Sequence, residues 1–277
     1  MISELNCAGR KVKLDQPRVM GILNVTPDSF SDGGLWLDED AAVNHALAMQ
    51  EAGADIIDVG GESTRPGAQA VTLEQELERV IPVIQALASK LSIPVSIDTS
   101  KPEVMNAAVA EGAGMINDVC ALRQEGAVQA AAELAVPVCI MHMQGVPRSM
   151  QVNPVYKDVG AEVRRFLLER AEACEQYGVA QENIVLDPGF GFGKTFSQNI
   201  DLFRDLPALV ATGYPVLVGI SRKAMIGQIT GRETTGRMSG SVGAAVLAAG
   251  MGAAILRVHD VEETVDALKV VSALAPD

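Results

Sequence analysis

The sequence predicts a (β/α)8 barrel. Three observations point to it: short β-branched runs alternate with amphipathic stretches, the runs number eight in 277 residues, and glycine stands at several helix-to-strand junctions. Residues 1–18 precede the first run and read as an N-terminal extension, a short hairpin laid across the barrel bottom. Val19–Val25 is the first strand, and the loop Thr26–Gly34 leads to a helical pattern over Glu39–Ala52. Gly53 then turns the chain into the second strand, Asp55–Val59, because glycine accepts the left-handed conformation that ends a helix. The same device recurs at Gly112 and Gly252. Helices over Leu73–Leu91, Pro102–Glu111, Val159–Tyr177 and Val261–Leu274 separate or follow the remaining strands. Those strands are Pro94–Asp98, Met115–Val119, Pro137–His142, Asn183–Asp187, Pro215–Ile220 and Ala253–Val258. The runs are apolar on both faces, as parallel strands covered by helices require. Eight such units fill about 250 residues, the size of a closed barrel, and no Pro/Gly/Ser linker divides the chain, which reads as one domain over 1–277. A doubly wound open sheet is the alternative, since periodicity does not register closure.

Composition narrows the function. The charge is 22 − 35 = −13 and aromatic residues make up 4%, so a polyphosphate backbone is repelled and bases find few stacking platforms. Nucleic acid is excluded as a partner. Cys7, Cys120, Cys139 and Cys174 lie far apart, without CxxC or a Cys/His cluster, which speaks for reduced, buried thiols in a cytoplasmic protein. The first residues carry charges from position 4 and no apolar h-region, so no signal peptide is expected. Met238–Leu256 is uncharged over 19 residues, but its four Gly and two Ser fit a small-residue helix leading into a buried strand better than a membrane span. No membrane partner is expected.

In such a barrel the active site forms at the C-terminal strand ends. Those ends carry Asn24; Asp58, Glu62, Thr64 and Arg65; Asp98; Asn117 and Asp118; His142; Asp187; Ser221, Arg222 and Lys223; and Arg257 with His259. About a third of these are expected to cap helices or brace loops instead, Asp118 and Asp58 first. Lys223, Arg257, His259 and Arg65 form an anion pocket suited to phosphate or diphosphate, although an Arg there could equally lie flat over a planar ring. Asp98, Asn117 and Asp187 match the amino–amidine edge of a flat heterocycle, because a carboxylate accepts two parallel N–H bonds. Together they suggest a substrate that is heterocyclic at one end and phosphorylated at the other. The loops Thr26–Gly34 and Gly60–Gly67 have the composition of lids, or of plain surface loops. Gly189–Thr195 imitates a phosphate-binding P-loop, but the glycine required at position 188 is Pro, and that reading fails. His45 reads as a surface residue within a helix.

Several segments carry a resemblance. They are Met20–Gly34, Asp58–Gly67, Ser96–Thr99, Ile116–Asp118, Asp187–Lys194, Gly219–Lys223 and Arg257–Asp260, in order along nearly the whole chain. The chain thereby resembles the dihydropteroate synthases. The resemblance implies a homodimeric, Mg2+-dependent barrel enzyme that sulfonamides target. Its reaction would join (7,8-dihydropterin-6-yl)methyl diphosphate to 4-aminobenzoate, giving 7,8-dihydropteroate and diphosphate. It further implies that Asp98, Asn117 and Asp187 hold the pterin edge with Lys223, and that Met141 and Phe192 line the pocket. Arg257 would stack on the pterin and, with His259 and Asn24, frame the diphosphate, with Asn24 also ligating Mg2+. Thr64, Arg65, Pro66, Phe30 and Ser221 would shape the 4-aminobenzoate site. A corrinoid-linked methyltransferase would have no use for the lids or the diphosphate pocket, and a non-catalytic pterin-binding relative would be expected to lack some of Asn24, Arg65, Lys223, Arg257 and His259, all of which are present.

Overall fold

The computed structural model describes residues 2–26, 35–63, 70–145, 150 and 153–274. The predicted extension is an antiparallel hairpin of β1 (Glu4–Cys7) and β2 (Arg10–Lys13), with Leu5 opposite Val12. Its turn, Ala8-Gly9, has both residues at positive φ, and the Gly9 amide donates to Asn6 Oδ1 at 2.8 Å.

Eight parallel strands follow: β3 (Arg18–Asn24), β4 (Ile56–Gly60), β5 (Val95–Asp98), β6 (Met115–Asp118), β7 (Val138–Met141), β8 (Ile184–Asp187), β9 (Leu217–Val218) and β10 (Ile255–Val258). They pair in the order β8-β7-β6-β5-β4-β3-β10-β9, and a parallel bridge between Leu186 and Val216 joins the two edges, closing the ring. The open-sheet alternative is thereby set aside. The strand predicted over Pro215–Ile220 is shorter in the structure: β9 is Leu217–Val218, with Val216 bridged to Leu186 just before it.

Around the ring run α1 (Leu35–Glu51), α2 (Leu73–Lys90), α3 (Pro102–Ala110), α4 (Ala127–Leu134), α5 (Val159–Gln176), α6 (Phe196–Arg204), α7 (Leu206–Val210), α8 (Ala224–Thr230), α9 (Met238–Gly250) and α10 (Val261–Leu274). The start of α1 lies four residues before the predicted Glu39. Reciprocal capping boxes fix the starts of α2 (Thr72 with Gln75) and α6 (Thr195 with Gln198). The junction glycines Gly53, Gly112 and Gly252 sit at φ of +100°, +105° and +96°. The uncharged run from Met238 resolves into α9 and β10, and no helix among the described residues is long and apolar enough to cross a membrane.

Two apolar layers result. One lies between sheet and helices and includes Leu23, Ile57, Val59, Ile97, Ile116, Ile140 and Leu186. The second fills the barrel bottom, where Leu5, Cys7 and Val12 of the hairpin pack on Met20, Ile56, Met115, Cys139, Val185, Leu217 and Ile255. Strand side chains alternate in direction, so the residues two positions further along each strand also point into the barrel. Those residues include Asp58, Asn117, Met141, Asp187 and Arg257, with Asp98 two beyond Ser96.

Candidate active site at the barrel mouth

One half of the mouth is an ionic network. Arg257 donates from Nε to Asp58 Oδ2 at 2.6 Å and from its terminal NH2 group to Asp98 Oδ2 at 2.8 Å, while Asn117 Nδ2 donates to Asp58 Oδ2 at 3.0 Å. Asp58 is fully buried, and its Oδ1 has no hydrogen-bond partner among the described residues. Burial works against the Arg257 charge, but Asp58 and Asp98 outweigh it and hold the guanidinium pKa above its ordinary value. Burial pushes the Asp98 carboxyl up to about 7 against the pull of Arg257, and the nearby Asp58 charge adds to the rise.

The facing half is built on β8 and the loop after it. Asp187 Oδ1 accepts from the Gly189 amide at 2.7 Å, and burial raises its pKa although Lys223 opposes the rise. Lys223 donates to the Phe190 carbonyl and lies 4.6 Å from the centroid of the Phe192 ring. Burial lowers its pKa to about 8 despite Asp187. The loop demands glycine: Gly189 sits at φ +68°, and a Cβ there would stand 1.9 Å from the His142 carbonyl oxygen. Met141 and Phe192 belong to an apolar patch with Met143 and Met150 beside this wall.

A third group completes the rim. Ser221 Oγ lies 3.0 Å from His259 Nδ1 and accepts from the His259 amide at 3.2 Å. Arg222 is held in the left-handed region at φ +57°, its amide donating to Ser241 Oγ of α9 at 2.9 Å and its side chain paired with Asp260. Asn24 stands at the end of β3, and its Oδ1 would lie 3.8 Å from a Cβ on Gly60.

The predicted residues Asp98, Asn117, Arg257, Asp187, Lys223, Met141, Phe192, Ser221, His259 and Asn24 thus all stand at one end of the barrel. Phe30, Thr64, Arg65 and Pro66 lie outside the described residues. Asp118 is the loop brace the sequence suggested: it accepts from Ser100 Oγ and, at 2.7 Å each, from the Cys120 and Leu122 amides. Asp58, the other suspect, instead positions two site residues, Arg257 and Asn117. Two contributions were not foreseen. Lys101 pairs with Glu62 and with buried Glu76 at the base of the β4 loop. Lys194 lies buried behind the Gly189–Phe192 wall. The carboxylate at the end of β4 was the only sequence signal for the first network, and Lys194 was visible only as part of the Gly189–Thr195 segment, with no sign of its partners. His45 is exposed on α1, as expected.

A carboxylate pair with an interposed guanidinium, facing a carboxylate and a lysine, fits a heterocycle edge beside an anion. The model of the pterin binding enzymes matches residues 20–259. Dihydropteroate synthase of Escherichia coli (strain K12) is 54% identical over 270 residues, which cover 98% of this chain and 96% of that protein. The chain belongs to the dihydropteroate synthase family. Two structures of the Xanthomonas albilineans dihydropteroate synthase bear the same relation. The one with 4-aminobenzoic acid has a TM-score of 0.95 and 57% identity, with all of both chains covered. The one in complex with 7,8-dihydropteroate has a TM-score of 0.91 and 54% identity, with 99% of this chain and 100% of that one covered. This pterin-binding barrel is a transferase of folate biosynthesis, and the Yersinia pestis dihydropteroate synthase, 48% identical with a TM-score of 0.93 and 98% of both chains covered, is a solved structure with a sulfonamide drug complex.

Proposed function

We propose that the mouth condenses (7,8-dihydropterin-6-yl)methyl diphosphate with 4-aminobenzoate to give 7,8-dihydropteroate and diphosphate, with the residues named above in distinct roles. The observation that carries this reading is the Arg257–Asp58–Asp98–Asn117 network facing Asp187 and Lys223 across one opening. Asp98, Asn117 and Asp187 hold the pterin edge, and Met141 and Phe192 line its ring. The hydrogen bonds of Arg257 to Asp58 and Asp98 lie in the guanidinium plane and leave its face for stacking. His259, steadied by Ser221, frames the diphosphate together with Arg257. Thr64, Arg65, Pro66 and Phe30 complete the 4-aminobenzoate site.

The reaction breaks the C–O bond between the pterin methylene and diphosphate, and the electron pair leaves with the diphosphate. Ionised Asp98 and Asp187 stabilise the positive charge that spreads over the pterin, while Arg257 and His259 stabilise the departing anion. The neutral aromatic amine then forms the C–N bond and releases its proton to water, with no dedicated base required.

Asn24 supplies one amide oxygen, and among the described residues no cluster of His, Cys, Asp or Glu encloses a metal. Such a sparse donor set fits magnesium, which keeps several waters and binds through one or two protein oxygens plus substrate phosphates. Asn24 would hold it, and its chemistry there is charge neutralisation on the diphosphate. The enzyme acts as a cytoplasmic homodimer, a reading supported by the apolar Leu247 of α9 and Val270, Val271 and Leu274 of α10, all exposed in the single chain.

The test is diphosphate release by the purified protein with Mg2+ and the pterin diphosphate, with and without 4-aminobenzoate. Release that needs both substrates and yields dihydropteroate by mass spectrometry is the expected result. Pterin binding without turnover would overturn the catalytic reading.

A further inference from the structure

Lys194 is almost wholly removed from water, 3% exposed, and the described residues place no carboxylate within ion-pair distance of it; burial pushes its pKa well below the ordinary lysine value, although Asp187 opposes the fall. Its Nζ lies instead among neutral acceptors: the Gly189 carbonyl at 2.8 Å, the Phe192 carbonyl at 3.0 Å and the His142 carbonyl at 3.4 Å, with His142 Nδ1 at 3.0 Å. Burying an amine away from water costs its hydration unless acceptors replace it, and plain loop closure does not require such a group. The acceptors explain where it sits. Gly189 is the residue whose amide fixes Asp187 Oδ1, and Phe192 is the ring beside the Lys223 ammonium. Lys223 grips the same segment from the pocket side, at the Phe190 carbonyl. Asn199 of α6 secures the remaining backbone, accepting from the Gly191 amide at 2.7 Å and donating to the Thr195 carbonyl at 2.7 Å.

We infer that Lys194 is a positioning residue for the pterin half of the reaction: it clamps the Gly189–Phe192 wall from behind so that Asp187 and Lys223 meet the pterin in register. The inference rests on the pterin reading of the mouth. His142 takes part as a neutral acceptor, since burial and then the Lys194 charge push its pKa down to about 2. The clamp touches only the β7–β8 side of the barrel. Its loss should therefore be felt by the pterin and not by 4-aminobenzoate.

The experiment compares the full-length protein with Lys194→Met, which removes every donor, and Lys194→Gln, which keeps two uncharged ones. Steady-state kinetics are run with each substrate varied, together with calorimetric binding of the pterin diphosphate and thermal unfolding. Lys194→Met is expected to raise KM and Kd for the pterin diphosphate roughly tenfold or more, the scale of several buried hydrogen bonds lost together. Lys194→Gln should recover part of that loss, and KM for 4-aminobenzoate should stay within about twofold. Folded variants with an unchanged pterin KM would overturn the inference, as would an equal rise in both KM values. Failure of both variants to fold would assign Lys194 to folding alone and would overturn it too. If the unsubstituted protein binds the pterin but does not turn over, the catalytic reading fails, and the calorimetric comparison still decides the role of Lys194.

Discussion

Two rings of side chains fill this barrel, the second two residues further along its strands than the first, and they differ in nearly every physical respect. The lower ring, Met20, Ile56, Met115, Cys139, Val185, Leu217 and Ile255, is apolar and sealed by the hairpin residues Leu5, Cys7 and Val12. In the upper ring Ile56 gives way to Asp58, Met115 to Asn117, Val185 to Asp187 and Ile255 to Arg257. Burial is comparable in places, since Asp58 is as inaccessible as Ile56. What differs is the cost. The lower ring gains from leaving water, about 25 cal/mol per Å2 of apolar surface. The upper ring loses solvation that its own pairings restore only in part: burial drives Asp98 up to about 7 against Arg257, and Lys223 down to about 8 against Asp187. Charges held at such a cost are available to a ligand that completes their pairing. In the function proposed above, the lower ring secures the fold and the upper ring carries the chemistry.

The most severe way to break the upper ring is Arg257→Met, which strands Asp58 and Asp98 without their counter-charge. A fall of roughly 10²–10³-fold in kcat/KM for the pterin diphosphate is expected. Retained activity would mean that the network is scaffolding only. The matching lesion below is Leu5→Ala, which should cost about 2–5 kcal/mol in urea unfolding and leave kcat/KM at 25 °C nearly unchanged. Next comes pH. As pH falls through about 7, Asp98 takes up a proton and no longer accepts from the pterin edge; as pH rises through about 8, Lys223 gives up its charge. The pH profile of kcat/KM should therefore be a narrow bell, its limbs belonging to the coupled group of charges. Asp98→Asn should remove the acid limb, and Lys223→Arg should move the alkaline limb out of range. The mildest test is Ser96→Ala in β5. It deletes a buried hydroxyl with no hydrogen-bond partner among the described residues, so stability should change by no more than about 1 kcal/mol, in the favourable direction, with activity intact.

The two rings were not equally legible in the sequence. The strands stood out because runs such as Met115–Val119 and Pro137–His142 are apolar on both faces and bounded by turn residues. The hairpin followed from its place before the first run. The upper ring was legible as a set of polar residues at strand ends but not as a network. The Arg257–Asp58 pair joins residues 199 apart in the chain and exists only because β3 lies between β10 and β4, pairing with both. Asp58 was therefore read as a brace, when it holds two site residues. Lys194 was visible only inside a glycine-rich motif, since its acceptor His142 comes from the end of the preceding strand.

The division between the rings is tested most directly by calorimetric binding of the pterin diphosphate to the unsubstituted protein, to Asp187→Asn and to Leu5→Ala, with thermal unfolding of each. Asp187→Asn should weaken binding at least about tenfold, the scale of a lost charge-assisted contact, without lowering Tm. Leu5→Ala should lower Tm and leave Kd unchanged. Weaker binding in Leu5→Ala, with Asp187→Asn binding like the parent, would contradict the account.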